Sequence, residues 1–143
     1  MTTKLTAHFA LEELVCTQHR DLDNTPPAEV IAILRQTAAR MEAVRKALGD
    51  RVISISSGYR SPQVNRAVGG ARTSAHLSGQ AVDFNCYGLG SPREVCRIIA
   101  ESEVAFDQLI EEGAWVHISF DPRLRRQVLT RCTRGGYVLG LAA

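Results

Sequence analysis

The sequence predicts an α+β fold: helices packed against a small antiparallel sheet, in a single domain over residues 1–143. Three observations carry this. A long apolar stripe at helical spacing occupies the first third of the chain. Alternating apolar and polar runs, the mark of half-buried strands, lie mostly after it. Two of the later runs are joined by a tight turn, as in an antiparallel hairpin. No internal repeat or low-complexity segment interrupts the pattern.

Taken in order, Phe9 to Val15 places Phe9, Leu11, Leu14 and Val15 at helical spacing and predicts a short helix. Asp21-Leu22-Asp23-Asn24 reads as a loop. Thr25-Pro26-Pro27 reads as a helix start, with Thr25 as the cap and Pro26 at the first helical position. Val30, Ile33, Leu34, Thr37, Met41, Val44 and Leu48 then keep one face for about five turns, and Gly49 ends the helix. Arg51 to Ser56 alternates like a half-buried strand. Ser57 to Thr73, with Gly58, Pro62, Gly69 and Gly70, is a long loop holding a helical turn near Pro62 to Ala67. Long loops inside compact domains often carry function. Gln80 to Cys86 reads as a second strand. Ser91 caps a helix over Pro92 to Ser102, with Val95, Ile98 and Ile99 on its buried side. Phe106 to Glu111 and Ala114 to Phe120 are strands joined at Glu112-Gly113. Pro122 ends the second of them, and Tyr137 to Leu141 adds an edge strand.

Composition narrows the possibilities. With 143 residues and 45% apolar content, the chain can bury a core without staples. No run approaches the roughly 18 apolar residues that cross a bilayer. Met1 to His8 lacks the apolar centre of a secretory signal, so the chain is expected to be cytoplasmic when synthesised. The four cysteines, Cys16, Cys86, Cys96 and Cys132, form no Cys-x-x-Cys pair and read as reduced, mostly buried thiols. Cys16 and His19 have ligand spacing, but no second pair matches them.

The net charge of +2 does not imply nucleic acid. Arg123, Arg125, Arg126, Arg131 and Arg134 share one stretch without an acid among them. That stretch reads as a solvated face or as an electrostatic hold on an anionic polymer such as the bacterial cell wall. No aromatics interleave with these arginines, which argues against nucleic acid.

Residues that could do chemistry are few. His76 and Asp83 sit in Ser74-Ala75-His76-Leu77-Ser78-Gly79-Gln80-Ala81-Val82-Asp83, and His117 sits in Trp115-Val116-His117-Ile118-Ser119. On a strand, Val82 and Phe84 face the core while Asp83 points away, and an acid in an apolar run needs a partner. A turn at Ser78-Gly79 can bring His76 back over that strand. His117, between Val116 and Ile118, repeats the pattern. If the two strands are neighbours, Asp83 and His117 share a face and His76 completes a three-donor set. Two imidazoles and a carboxylate can hold zinc and leave a fourth position open for water, as catalytic sites do. The same residues would also suit a hydrogen-bonded core cluster, and spacing alone leaves both readings open. His8 and His19 read as surface or packing residues.

Ser56-Ser57-Gly58-Tyr59-Arg60-Ser61-Pro62, Asn65 and the segment Ser74 to Asp83 closely resemble the zinc D-alanyl-D-alanine carboxypeptidase family, which includes phage and bacterial enzymes that cut peptidoglycan stem peptides. The Ser-x-His-x-x-Gly-x-Ala-x-Asp pattern is matched at every defined position. Phe106-Asp107-Gln108-Leu109-Ile110 and Trp115-Val116-His117 resemble the family's closing hairpin, and Asp23-Asn24-Thr25-Pro26-Pro27 resembles its small prophage-type members.

The resemblance implies a sheet that carries Zn2+ on His76, Asp83 and His117. It implies hydrolysis of stem peptides, either as a D,D-carboxypeptidase or as an L-alanyl-D-glutamate type of endopeptidase. Arg60 would grip a substrate carboxylate or the developing oxyanion. Ser74 would orient the site through a hydrogen bond. Tyr59, Gln63 and Asn65 would shape the loop, and Trp115 would be core or cleft wall. Many family members carry an acidic general base three residues before the last histidine, where this chain has Ala114. The base is therefore expected upstream, at Glu112 rather than Glu111. The Ala114 departure also suits an alternative, a non-catalytic zinc-containing domain that binds the cell wall. The expected partners are a peptidoglycan peptide and, for access to the wall, a holin-type membrane-permeabilising protein. The chain itself is expected to be a monomer acting on the wall after release from the cytoplasm, in phage or prophage lysis or as part of a virion.

Overall fold

The computed structural model describes residues 2–141. The first helix, α1, covers Leu11–Leu14. It is shorter than the spacing predicts because the Phe9 carbonyl accepts from Leu5 and Thr6, upstream, rather than from a following turn. Helix α2 runs Ala28–Ala47 from Pro27 as its cap position. The expected start at Thr25 and Pro26 is thus too early. A residue that precedes proline is pushed out of the helical region, so Pro26 stays extended before Pro27. Thr25 instead turns back, its N–H donating to Asp23 Oδ1 at 2.9 Å. At the far end Gly49 takes φ +77°, a conformation that suits glycine and closes the helix.

Strand β1 is Ser54–Ser57, followed by α3 at Pro62–Ala67 within the long loop. A 3₁₀ turn spans Ala75–Ser78, and β2 is Ala81–Asn85. Helix α4 covers Pro92–Glu101, with Ser91 Oγ accepting from the Glu94 N–H, as its sequence predicts. Strands β3 (Gln108–Glu111) and β4 (Val116–Ser119) form a hairpin. The Glu112 N–H bonds the Trp115 carbonyl at 3.0 Å, so the turn is Gly113-Ala114, one residue beyond the predicted position. Two further strands follow, β5 (Gln127–Arg131) and β6 (Tyr137–Leu139).

The strands form one sheet in the order β1-β2-β4-β3-β5-β6. Every pairing is antiparallel except β3 with β5, which is parallel. The sheet is therefore mixed rather than purely antiparallel. Strand β5 lies inside the arginine-rich stretch, where charge masks the apolar pattern of Val128 and Leu129.

Strand alternation gives the sheet two different faces. Val82, Phe84, Leu109, Val116 and Ile118 are fully buried in one core with Leu34, Ala38, Met41 and Val44 of α2 and Val95 and Ile99 of α4. The opposite face carries Asp83, His117, Ile110 and Glu112 into an open cleft. Helix α2 also supports the turn behind that cleft. Thr37 Oγ donates to the Gly79 carbonyl at 2.6 Å. Gly79 has φ +80°, and a Cβ there would meet Leu34 and Val30 at 3.1 and 3.2 Å. Only glycine combines that conformation with so close a helix.

Candidate metal centre

His76 enters the cleft from the 3₁₀ turn. Ser74 caps that turn, its Oγ accepting from the His76 N–H at 3.2 Å. Asp83 and His117 are direct cross-strand partners on β2 and β4. The structure therefore unites residues that lie 34 and 41 positions apart from one another in sequence with the local pair His76–Asp83. Asp83 Oδ1 is 3.2 Å from His76 Nε2 and 2.9 Å from His117 Nδ1. Among the described residues, these three are the His, Cys, Asp or Glu group arranged to hold a metal, with one donor atom from each lying within 4.8 Å of the others.

The protons show what this arrangement lacks. His76 Nδ1 lies 2.7 Å from the Gly58 carbonyl, which can only accept, so Nδ1 carries the hydrogen. In the neutral ring, Nε2 is then a bare lone pair facing a carboxylate oxygen. A second proton would relieve the contact, but burial pulls the His76 pKa down, and the hydrogen bond and charge of Asp83 offset only part of that. A cation belongs between the two acceptors. Burial also pushes the Asp83 carboxyl up, yet the two imidazoles that face it outweigh that effect. The carboxyl is held well below the usual carboxylate range and is a ready anionic ligand. Two imidazole nitrogens with one carboxylate, the His76 ring fixed from behind by the Gly58 carbonyl, make a donor set that fits Zn2+.

Arg60 lies beside this set. Its Nη2 donates to Asp83 Oδ2 at 3.3 Å, Nε to Ser57 Oγ at 3.3 Å and Nη1 to Asn65 Oδ1 at 3.4 Å. The guanidinium is thus fixed in place with N–H donors left over for a substrate oxygen. Asn65 is itself anchored, donating from Nδ2 to the Ala71 carbonyl. Tyr59 is buried, and its backbone is held at both sides. Its N–H donates to the Leu14 carbonyl at 2.7 Å, and its carbonyl accepts from Asn24 at 3.0 Å. Gln63 is exposed on α3 and does not line the cleft. Trp115 is half-buried in the wall.

The cleft has a volume of about 820 Å³ and reaches from the 3₁₀ turn to β6. Glu112 projects into it while Glu111 does not; Glu111 Oε1 accepts from the Gly113 N–H and serves the turn. The Glu112 side chain is only 9% exposed. Burial raises its pKa, and the charge of Asp83 adds to that against the opposing pull of His117 and Arg131. A carboxylate with raised basicity beside a metal site can take and return a proton.

Two cleft residues, Arg131 and Tyr137, were beyond sequence reasoning. They reach Glu112 through the parallel β3–β5 pairing, and no spacing rule links those positions. Three other arginines of that stretch, Arg123, Arg125 and Arg126, bind groups of the chain itself. Arg125 makes two hydrogen bonds of 2.8 and 3.0 Å to buried Asp107, and Arg123 pairs with Asp121 at 2.9 Å. Arg126 donates to the carbonyls of Ser102 and Val104 after α4 and stacks over Phe106 at 4.6 Å. These three are thus engaged by acids and carbonyls of the chain, whereas Arg134 is exposed. All four cysteines are free thiols, and burial pushes that of Cys96 up to about 12. His8 pairs with Glu42 on the surface, and His19 lines a smaller cavity of about 360 Å³ that adjoins the cleft and shares Arg60, Asp83 and Trp115 with it.

Comparison with known proteins agrees with this geometry. Residues 7–119 match the Peptidase M15 family. Over 77 residues the chain is 42% identical to the zinc D-Ala-D-Ala carboxypeptidase of Streptomyces albus G. That stretch is 54% of this chain but spans only 29% of the relative's length.

Proposed function

The chain belongs to the peptidase M15 family, and from that membership we propose that it is a zinc metallopeptidase hydrolysing peptide bonds in the stem peptides of peptidoglycan. One observation carries the reading: two imidazole nitrogens converge on a single oxygen of Asp83 at the floor of a cleft that also holds a half-buried glutamate. The named activity of the Streptomyces albus G relative points to a D-alanyl substrate.

His76, Asp83 and His117 would hold the ion. When bound, Zn2+ lowers the pKa of a water toward about 7 and polarises a carbonyl. The chain's own residues do the rest. Glu112 accepts the proton of the attacking water on a carboxylate oxygen and delivers it to the departing amine nitrogen. Its raised pKa suits both transfers. Arg60 keeps Asp83 in place through Oδ2 and offers its remaining N–H groups to a substrate oxygen, either a terminal carboxylate or the oxyanion that develops on the carbonyl. The Gly58 carbonyl keeps the hydrogen of His76 on Nδ1, which leaves the Nε2 lone pair available as a ligand. Ser74 sets the backbone that carries His76.

Purified peptidoglycan, incubated with protein stripped by a chelator and then reloaded, tests the reading. Peptide release that returns with Zn2+ and is absent from the stripped protein supports it. A reloaded protein that binds the wall and releases nothing would return the assignment to a zinc-containing binding domain.

A further inference from the structure

We propose that the C-terminal hairpin β5–β6 completes the catalytic centre, with Arg131 and Tyr137 as positioning residues that hold the Glu112 carboxylate in the cleft. The inference rests on the reading of Glu112 as the base. The hairpin lies beyond residues 7–119, so the family match does not account for it.

Register places the three residues together. In the parallel ladder Ile110 pairs with Leu129 and Glu111 with Thr130, and one step further sets Glu112 beside Arg131. In the next ladder Arg131 pairs with Tyr137. Alternation then puts all three side chains on the cleft face, and all three line it. Each carboxylate oxygen of Glu112 has its own partner. Tyr137 donates its hydroxyl to Oε1 at 3.4 Å, and Arg131 Nη1 stands 3.7 Å from Oε2.

The arrangement answers a physical need. A carboxylate this enclosed would protonate or swing toward water if nothing held it. The charged and titratable groups that act on it are Asp83 on β2, His117 on β4, Arg60, Arg131 on β5 and Tyr137 on β6. Asp83 repels it, so a cation and a donor on the far side fix it between the repulsion and the cleft. Arg131 and Tyr137 are themselves about half exposed, at 50% and 53%. Their side chains reach in from the rim and are not core residues whose loss would collapse the fold.

The test is a panel of Arg131→Gln, Arg131→Lys, Tyr137→Phe and Glu112→Gln, measured as kcat and KM on one defined muropeptide across pH. Zinc content and melting temperature are read alongside. Arg131→Gln and Tyr137→Phe should each lower kcat on the order of tenfold, a part of what a positioned base contributes. KM and zinc content should stay within about twofold. Both substitutions remove an influence that lowers the Glu112 pKa, so the acid limb of kcat/KM should move to higher pH. Arg131→Lys should recover most of kcat. Unchanged kcat and acid limb in both variants, with Glu112→Gln inactive, would overturn the proposal and leave the base reading intact. An active Glu112→Gln would overturn both.

Discussion

Asp83 and His117 stand directly opposite each other on β2 and β4, and Asp83 Oδ1 lies 2.9 Å from His117 Nδ1. The same oxygen is 3.2 Å from His76 Nε2. One ladder position therefore sets two of the three members of the centre, and the 3₁₀ turn supplies the third. A slip of one residue in the β2–β4 register would turn Asp83 into the core and bring Val82 or Phe84 to the cleft.

Glu112→Gln keeps size and shape but removes the proton acceptor. It should lower kcat by roughly 10²–10⁴-fold while zinc content stays at the wild-type level. Steady-state kinetics with metal analysis of the same sample checks this. Near-normal turnover would remove Glu112 as the base.

Gly58→Ala would drive a Cβ into the backbone carbonyl of Leu14. The Gly58 carbonyl would have to move, and it is the group that accepts from His76 Nδ1. Loss of such a partner behind a ligand histidine weakens metal affinity by about 10–100-fold. Competition against a chelator of known affinity measures the change. An unaltered affinity would mean that the 2.7 Å bond does not set the tautomer.

Thr37→Val removes the hydroxyl that bonds the Gly79 carbonyl from α2. Burying that carbonyl unpaired should cost about 1–3 kcal/mol, seen as a lower urea midpoint at unchanged slope. The effect should also reach the centre as weaker zinc binding, because the turn carries His76. A midpoint equal to the wild type would show that the bond contributes nothing net.

Hydrogen bonds from the Arg125 side chain hold the Asp107 pKa below its ordinary value. The folded pKa is then lower than the unfolded one, so the unfolded chain binds the extra proton first. Stability from this pair is complete above the unfolded aspartate pKa of about 4 and is lost as pH falls through the lower folded value. In Asp107→Asn, urea midpoints measured between neutral pH and pH 3 should fall less steeply than in the wild type. Parallel slopes would refute the contribution.

The centre was more legible than the sheet that carries it. His76 and Asp83 belong to one compact segment, and the isolated polar residue between Val116 and Ile118 marks His117 as pointing away from a core. Alternation is a local signal and needs no knowledge of partners. Pairing of strands is not local. Strand β5 was hidden because Arg123, Arg125 and Arg126 precede it, and their partners Asp107, Asp121 and the carbonyls after α4 are visible only once the chain has folded. The roles of Arg131 and Tyr137 follow from that pairing and were hidden with it. The start of α2 was misplaced for a different reason. Two adjacent prolines compete for one helical position, and the steric effect of Pro27 on Pro26 decides it.

The most direct measurement is mass spectrometry of defined muropeptides after incubation with the zinc-loaded protein, beside a His76→Ala control. The account predicts a new fragment with the wild type, its mass identifying the bond cut, and none with the control. Intact muropeptides from a wild-type protein shown to contain zinc, or the same fragment from both proteins, would contradict it.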